Sequence, residues 1–363
     1  MASFFPSRTL TLYMAKMFAV RTFAVLALLV IVLQVLDLLG ESDAILAYKG
    51  NGQAQILTYV GLRIPGIIQQ FLPFCVLLGT IITLASLNQN SEVVSMKAAG
   101  LSAHQVLAPL IVASLAIAML SFAFNERIVT RSTATLKLWD RADYGKMPSG
   151  REAKSNIWVR DGDDLIHADI VEGRGTGTVL TGVSIYDRTG GTLSKILTAP
   201  RGTLTPSGWR LDKAQSFDLA RGTKSPAASV VVAPTVRPDQ FTLANVDGAG
   251  LTFVGLSDAI DDLKAAGRPT GSLEAALWHK ISGPLSTVLM PLLGAVAAFG
   301  LARSGRLFIR AVIGMALGFA YFVADNFGLA MGNLGAYPPL LAAWGPFALF
   351  LLIGETVLIR TEE

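Results

Sequence analysis

Charge and sulfur are both scarce in this chain. Of its 363 residues only 15% are charged, against 52% hydrophobic, and mean hydropathy is +0.52. A soluble domain rarely tolerates that balance, so integration into a membrane is the first expectation. Cysteine occurs once, at Cys75 inside an apolar run, which excludes an intrachain disulfide and makes redox chemistry a poor reading. Histidine occurs three times, at 104, 167 and 279, too far apart for metal-ligand spacing. There is no P-loop: "GRGTGTV" lacks the Lys followed by Ser/Thr that closes one, so this chain does not hydrolyse nucleotide by that route. The net charge of +4 points away from nucleic acid, because the basic residues cluster beside apolar runs.

Those runs come next. A bilayer core asks for about 20 mainly apolar residues per helix. Six segments qualify: Thr22–Leu39, extending a turn or two earlier, Pro65–Leu87, Val106–Phe124, Ile281–Ala302, Leu307–Met331 and Tyr337–Ile359. The third and fourth carry no charge at all. Arg8, Lys16 and Arg21 precede the first span, and Arg303, Arg306 and Arg310 join the fourth to the fifth, whereas "MGNLGAYPP" has no basic residue. By the positive-inside rule both termini are cytoplasmic and the stretch from Asn125 to Ala276 is external. The first span reads as a retained helix, since it holds Gln34 and Asp37 and lacks a small-residue cleavage site.

The external stretch changes pattern. "NIWVRDGDDLIHADIV", "TVLTGVSIYDRTGGTLSKIL" and "GTLTPSGWRLDKAQSFDLA" each pair two strand-like runs around a turn, which predicts an antiparallel sandwich or jelly roll. His167 with Asp161, Asp163 and Asp164 reads as a polar hairpin rather than as acid–base machinery. "LSDAIDDLKAAG", Leu256–Gly267, predicts a short helix with a Ser N-cap and a terminal Gly. The domain reading is 1–124 for the first three spans, 125–276 for the external β-domain and its connecting helices, and 277–363 for the last three spans.

One cytoplasmic connection is more than a turn. "LNQNSEVVSMKAAGL" predicts a short surface helix over 90–100: Asn90 or Ser91 caps it, Glu92 sits in the first turn where the dipole favours an anion, and Gly100 ends it. Val93, Met96 and Ala99 share one face, with Lys97 beside it. The pattern fits either an ordinary polar loop or a docking knob that offers a carboxylate to an Arg of a soluble partner.

With these stretches in order, the chain resembles the lipopolysaccharide-export permease family (YjgP/YjgQ type), and more closely its LptG-like branch. "LNQNSEVVSMKAAGLS" is similar to the family's ATPase-coupling segment, and "IWVRDGDDLIHAD" and "GVSIYDRTGGTL" to its external domain. "LEAALWHKISGPLSTVLMPLLG" is similar to its entry into the fourth span, and "FVADNFGLAMGNLGAYPPLLAAWGP" to its last hairpin. The resemblance implies a non-catalytic subunit paired with an LptF-like sister permease and a dimeric, LptB-like cytoplasmic ATPase. That ATPase, and not this chain, uses ATP and Mg. It also implies periplasmic bridge proteins of LptC-like and LptA-like kind, location in a bacterial inner membrane, and lipopolysaccharide as cargo.

By position Glu92, Val93, Met96 and Lys97 become coupling residues. Phe23, Leu26, Val30 and Leu33 share a helix face with Asp37, beside Gln34. They become lining for the lipid cavity, with Asp325 at the gate. The family often has lysines near Asp37; here Gln34, Gly40 and Glu41 stand there, so Lys49, Lys137 and Arg141 become the head-group charge candidates. Lys280, beside the fourth span, reads as an interfacial residue. Two rivals remain: a lipid-modifying membrane enzyme needs clustered carboxylates or His at one face, and a receptor needs a cytoplasmic output domain. The sequence offers neither.

Overall fold

A computed structural model describes residues 7–145, 154–173, 175–188, 192–219, 221–242, 248–265, 267–299 and 307–360. It divides into two compact units: one takes the chain up to Asp43, Gln53–Ala134 and the chain from Gly248 on, and the other takes Ala44–Gly52 and Thr135–Asp247.

The first unit is helical. Its elements are α1 (Arg8–Ala47), α2 (Gln53–Gln89), α3 (Glu92–Ala98), α4 (Ala103–Phe124), a π-helical turn (Asn125–Val129), α7 (Phe253–Ala265), α8 (Gly271–Phe299), α9 (Leu307–Asn333) and α10 (Pro339–Arg360), with α5 (Thr130–Arg141) beginning in it. Among the described residues five helices are long and apolar enough to cross a membrane: α1, α2, the continuous Ala103–Asp140 helix, α9 and α10. The fourth expected span, Ile281–Ala302, is helical through Phe299, and 300–306 lie outside the described residues, with Arg303 and Arg306 among them.

Helix α8 packs against α2, α4, α9 and α10, and its apolar side, including Leu289, Leu292 and Leu293, joins the buried core. Two prolines, Pro284 and Pro291, lie inside it. Two hydroxyls bond back onto its own preceding turn: Ser286 donates to the Gly283 carbonyl at 2.6 Å and Thr287 donates to that of Pro284. Small residues let the helices close: a Cβ on Gly79 would collide with Thr22 of α1, and one on Gly318 with Leu77 of α2.

The second unit carries the sheet: β1 (Lys154–Asp161), β2 (Asp164–Glu172), β3 (Val179–Asp187), β4 (Lys195–Thr205), β5 (Gly208–Asp218) and β6 (Thr223–Val232), with the short α6 (Pro238–Thr242). All six pair antiparallel in the order β1-β2-β3-β4-β5-β6. The hairpins fall where the sequence put them: Asp161 pairs with Asp164 across the Gly162 turn, and Thr205 with Gly208 across Pro206 and Ser207. The jelly-roll connectivity is corrected. A jelly roll needs long crossovers between non-adjacent strands, and here each strand pairs with its sequence neighbour, giving a meander.

Alternate residues of the strands, Ile157, Val159, Ile166, Ala168, Leu180, Val183 and Leu211 among them, turn one face inward. Trp209 is buried there, stacked edge-on with Phe241, and donates its indole N–H to the Val236 carbonyl at 2.8 Å.

The α7 expectation shifts by a turn. The helix starts at Phe253, because the Thr252 hydroxyl accepts the Gly255 N–H at 3.1 Å and so acts as the N-cap, leaving Ser257 inside. Gly267 takes φ +68° beyond its end, as the terminal Gly predicted.

Candidate functional site

Helix α3 is shorter than 90–100. Ser91 occupies its N-cap with φ 58°, a left-handed backbone, and makes no side-chain capping bond; the capping expected of Asn90 or Ser91 is absent because that backbone turns the hydroxyl from the helix N–H groups. Its C-terminal end follows the sequence: Gly100 takes φ +85°, and the Gly100 and Leu101 N–H groups donate to the Lys97 and Met96 carbonyls. The next helix is fixed by a capping box between Ser102 and Gln105.

Val93 and Met96 are buried in the helical unit's core. They anchor α3 to its own chain. Ala99 is exposed and does not share that face, since the chain has already left the helix. What α3 turns outward is Val94, 64% exposed, with Lys97 and Ala98. Glu92 is half-buried, and the Tyr13 hydroxyl lies 3.5 Å from its Oε1. Close by in the chain, His104 Nε2 lies 3.3 Å from Glu355 Oε2 on α10.

The α1 stripe splits. Leu26 is buried in the core, Val30 packs partly against it, Leu33 is half-buried, and Phe23 is half-exposed. Gln34 is buried, and neither of its amide atoms has a hydrogen-bond partner among the described residues. Asp37 is engaged: Arg63 of α2 meets Oδ1 at 2.8 and 3.0 Å, and the Tyr59 hydroxyl donates to Oδ2 at 2.6 Å. The sequence did carry a signal for this pair, because a lone Arg inside an apolar run demands a counter-ion on a neighbouring helix.

A second polar cluster was missed. Consecutive residues of α8 reach two different neighbours. His279 Nε2 lies 3.1 Å from Asp325 Oδ2 on α9, and Lys280 Nζ lies 3.3 Å from Glu126 Oε1 in the π-helical turn. The second oxygen of Glu126 accepts the Phe253 N–H at the start of α7, at 2.7 Å. Lys280 is therefore a buried ion-pair partner and not an interfacial anchor; its side chain is only 7% exposed. A π-turn aims side chains off the regular helical register, so no spacing rule brings Glu126 to this point. Asp325 Oδ1 is buried without a hydrogen-bond partner among the described residues.

Of the head-group candidates, Lys49 and Lys137 are exposed residues of the second unit, and the Arg141 side chain lies outside the described residues. His167 stacks on Trp158 with ring centroids 4.5 Å apart, 3.7 Å from Asp169. No group of three metal-ligating residues is found among the described residues.

The decisive comparison covers nearly the whole chain: the sequence model of the lipopolysaccharide export system permease LptF/LptG family matches residues 12–360. The chain belongs to the LptF/LptG family. Its curated relatives include the lipopolysaccharide export system permease protein LptG of Escherichia coli K12, 28% identical over 309 residues, covering 83% of this chain and 84% of the relative. The LptG of Haemophilus influenzae Rd is 24% identical over 318 residues, covering 85% and 87%. Membership of an LptF/LptG permease family agrees with the apolar helices and with the resemblance read from the motifs. It gives the chain the character of a multi-pass membrane transport protein.

Proposed function

We propose that the chain is the LptG-like transmembrane subunit of an ATP-driven exporter that extracts lipopolysaccharide from the inner membrane and passes it to a periplasmic bridge. In this reading six helices span the inner membrane, with α8 as the fourth, both termini are cytoplasmic, and the β-domain is periplasmic. An LptF-like sister permease completes the cavity. An LptB-like ATPase dimer burns ATP with Mg, and LptC-like and LptA-like proteins receive the cargo. Beyond family membership, the observation that carries the reading is α3: a seven-residue helix set between two spans, pinned to the core by Val93 and Met96, with a carboxylate in its first turn. A helix held so rigidly transmits a push instead of absorbing it.

The exposed α1 surface, including Phe23, Leu28 and Ile31, faces lipid or the sister subunit. Asp37, already neutralised by Arg63, supplies shape and polarity at the cavity wall and not a free charge. A gentle-detergent pull-down of the tagged chain, with partners identified by mass spectrometry, tests the assignment. Recovery of a six-span sister and an ATPase supports it; a chain that brings down neither has no engine, and the exporter reading fails.

A further inference from the structure

The π-helical turn Asn125–Val129 interrupts a helix that otherwise runs from Ala103 to Asp140. Such turns are rare, hold one residue more than α geometry needs, and recur at functional sites. Here the extra residue is compensated. The Thr130 N–H reaches back five residues to the Asn125 carbonyl, where an α-helix would bond it to Glu126. The buried Thr130 hydroxyl donates to the Glu126 carbonyl instead, at 3.0 Å. One residue thus offers that carbonyl two partners, a hydroxyl in the π position and an N–H in the α position. Either position satisfies it, which gives the turn two discrete states.

What selects the π position is the Glu126 side chain. Its Oε1 lies 3.3 Å from Lys280 Nζ on α8, and its Oε2 accepts the Phe253 N–H at 2.7 Å. Closing the turn into α-helix shifts the register by one residue, about 100° around the axis. One carboxylate cannot follow that rotation and keep both partners. The chain leaves the helical unit after Ala134, along the helix that carries the turn, and returns at Gly248, just before α7. Glu126 therefore ties the outgoing and the returning segments to a single residue of α8. A buried ion pair is seldom a net gain over an apolar pair of the same shape, so stability alone does not account for it.

We propose that the π-turn is a two-position joint, that the Glu126–Lys280 pair latches it in the π position, and that displacement of α8 releases it. Once released, the turn closes into α-helix and α5 rotates by one residue. On the exporter reading, on which this inference rests for its role, the joint passes movement of the spans to the outgoing connection of the β-domain. Glu126 and Lys280 are then positioning residues, acting through the turn.

The test places nitroxides at Val112→Cys and Arg131→Cys, exposed positions on either side of the turn; the native Cys75 is buried. The labels sit about 28 Å apart along the helix at 1.5 Å per residue, within reach of pulsed electron resonance. The full chain is measured with its copurifying subunits in nanodiscs, beside the Lys280→Met/Glu126→Gln double variant, whose amide still accepts from Phe253. Wild type is expected to give one distance at rest, and the double variant a second, shifted one. Thr130→Val, isosteric and milder, withdraws the hydroxyl that satisfies the π position and gives the same second distance. Distributions identical to wild type in both variants overturn the joint, whether or not an ATPase copurifies; absence of an ATPase fails the exporter reading alone. With the ATPase present, the double variant keeps its hydrolysis, while lipopolysaccharide released per ATP falls about tenfold, the size of one charge-assisted hydrogen bond. Lys280→Arg, which keeps the pair, keeps release near wild type. A purely structural role lowers hydrolysis and release together, and that outcome, like unchanged release per ATP, overturns the positioning role.

Discussion

Lys280 Nζ and Glu126 Oε1 lie 3.3 Å apart across 154 residues of sequence, their side chains 7% and 18% exposed. The pair stitches the π-helical turn to α8, and through the Phe253 N–H the same carboxylate holds the start of α7. Breaking a buried pair from one side leaves the other charge uncompensated. Lys280→Met is therefore expected to cost about 3 kcal/mol or more. Adding Glu126→Gln recovers most of this, because the amide oxygen still accepts from Phe253. Thermal unfolding in detergent, run as a double-mutant cycle, checks it; additive losses contradict the pairing.

The Asp37 cluster predicts graded losses. Tyr59→Phe removes a neutral donor at 2.6 Å and costs about 1 kcal/mol. Arg63→Ala leaves the carboxylate facing an apolar helix and costs more, although the Arg63 side chain is 41% exposed, which tempers the difference. The same unfolding assay ranks the two variants, and a larger loss for Tyr59→Phe contradicts the charge assignment.

On α3 two neighbouring valines separate anchoring from docking. Val93→Ala loosens the core and destabilises by about 1 kcal/mol or more. Val94→Asp changes an exposed position and leaves unfolding within about 0.5 kcal/mol of wild type, yet lowers ATPase activity in the copurified complex. Unchanged activity in Val94→Asp shows that this face does not dock.

The α7–α8 junction carries a pH response. Lys264 Nζ lies 2.9 Å from Glu274 Oε1, and the Thr270 hydroxyl donates to the same oxygen at 2.8 Å. The Lys264 ammonium first, then the hydroxyl, holds the Glu274 carboxyl below its usual value. A depressed folded-state pKa gives stability that is present above the unfolded value, near 4.5 for this group, and is lost as pH falls through the folded value. Wild type thus loses its small advantage over Glu274→Gln on acidification below about pH 4.5, and a difference in melting temperature that stays constant down to pH 3 contradicts the linkage.

Much of this was legible locally. Gly162, Pro206 and Gly208 marked hairpins, and Gly100 and Gly267 marked helix ends, because a turn or a left-handed cap depends on a few adjacent residues. Among the described residues apolar run length located five helices long enough to cross a membrane, while α8 is not among them. What the sequence concealed was pairing over distance: Glu126 with Lys280 and His279 with Asp325. Each joins residues on different helices, and helix rotation, which composition does not fix, decides whether they meet. Rotation also explains α3, whose Val93 and Met96 face turns into the core and not outward. Strand existence was legible for the same reason as the turns, but sheet order was not, since hairpin patterns are shared by meanders and jelly rolls.

The central claim is that this chain converts ATP hydrolysis by a partner into movement of a glycolipid, with Glu92 of α3 at the junction. The most direct measurement reconstitutes the copurified complex in vesicles and follows ATP-dependent release of lipopolysaccharide to an added periplasmic acceptor, for wild type and for Glu92→Lys. Wild type is predicted to release lipid only with ATP, and Glu92→Lys to assemble its membrane half while losing both release and its coupled ATPase activity. Release undiminished in Glu92→Lys contradicts the account.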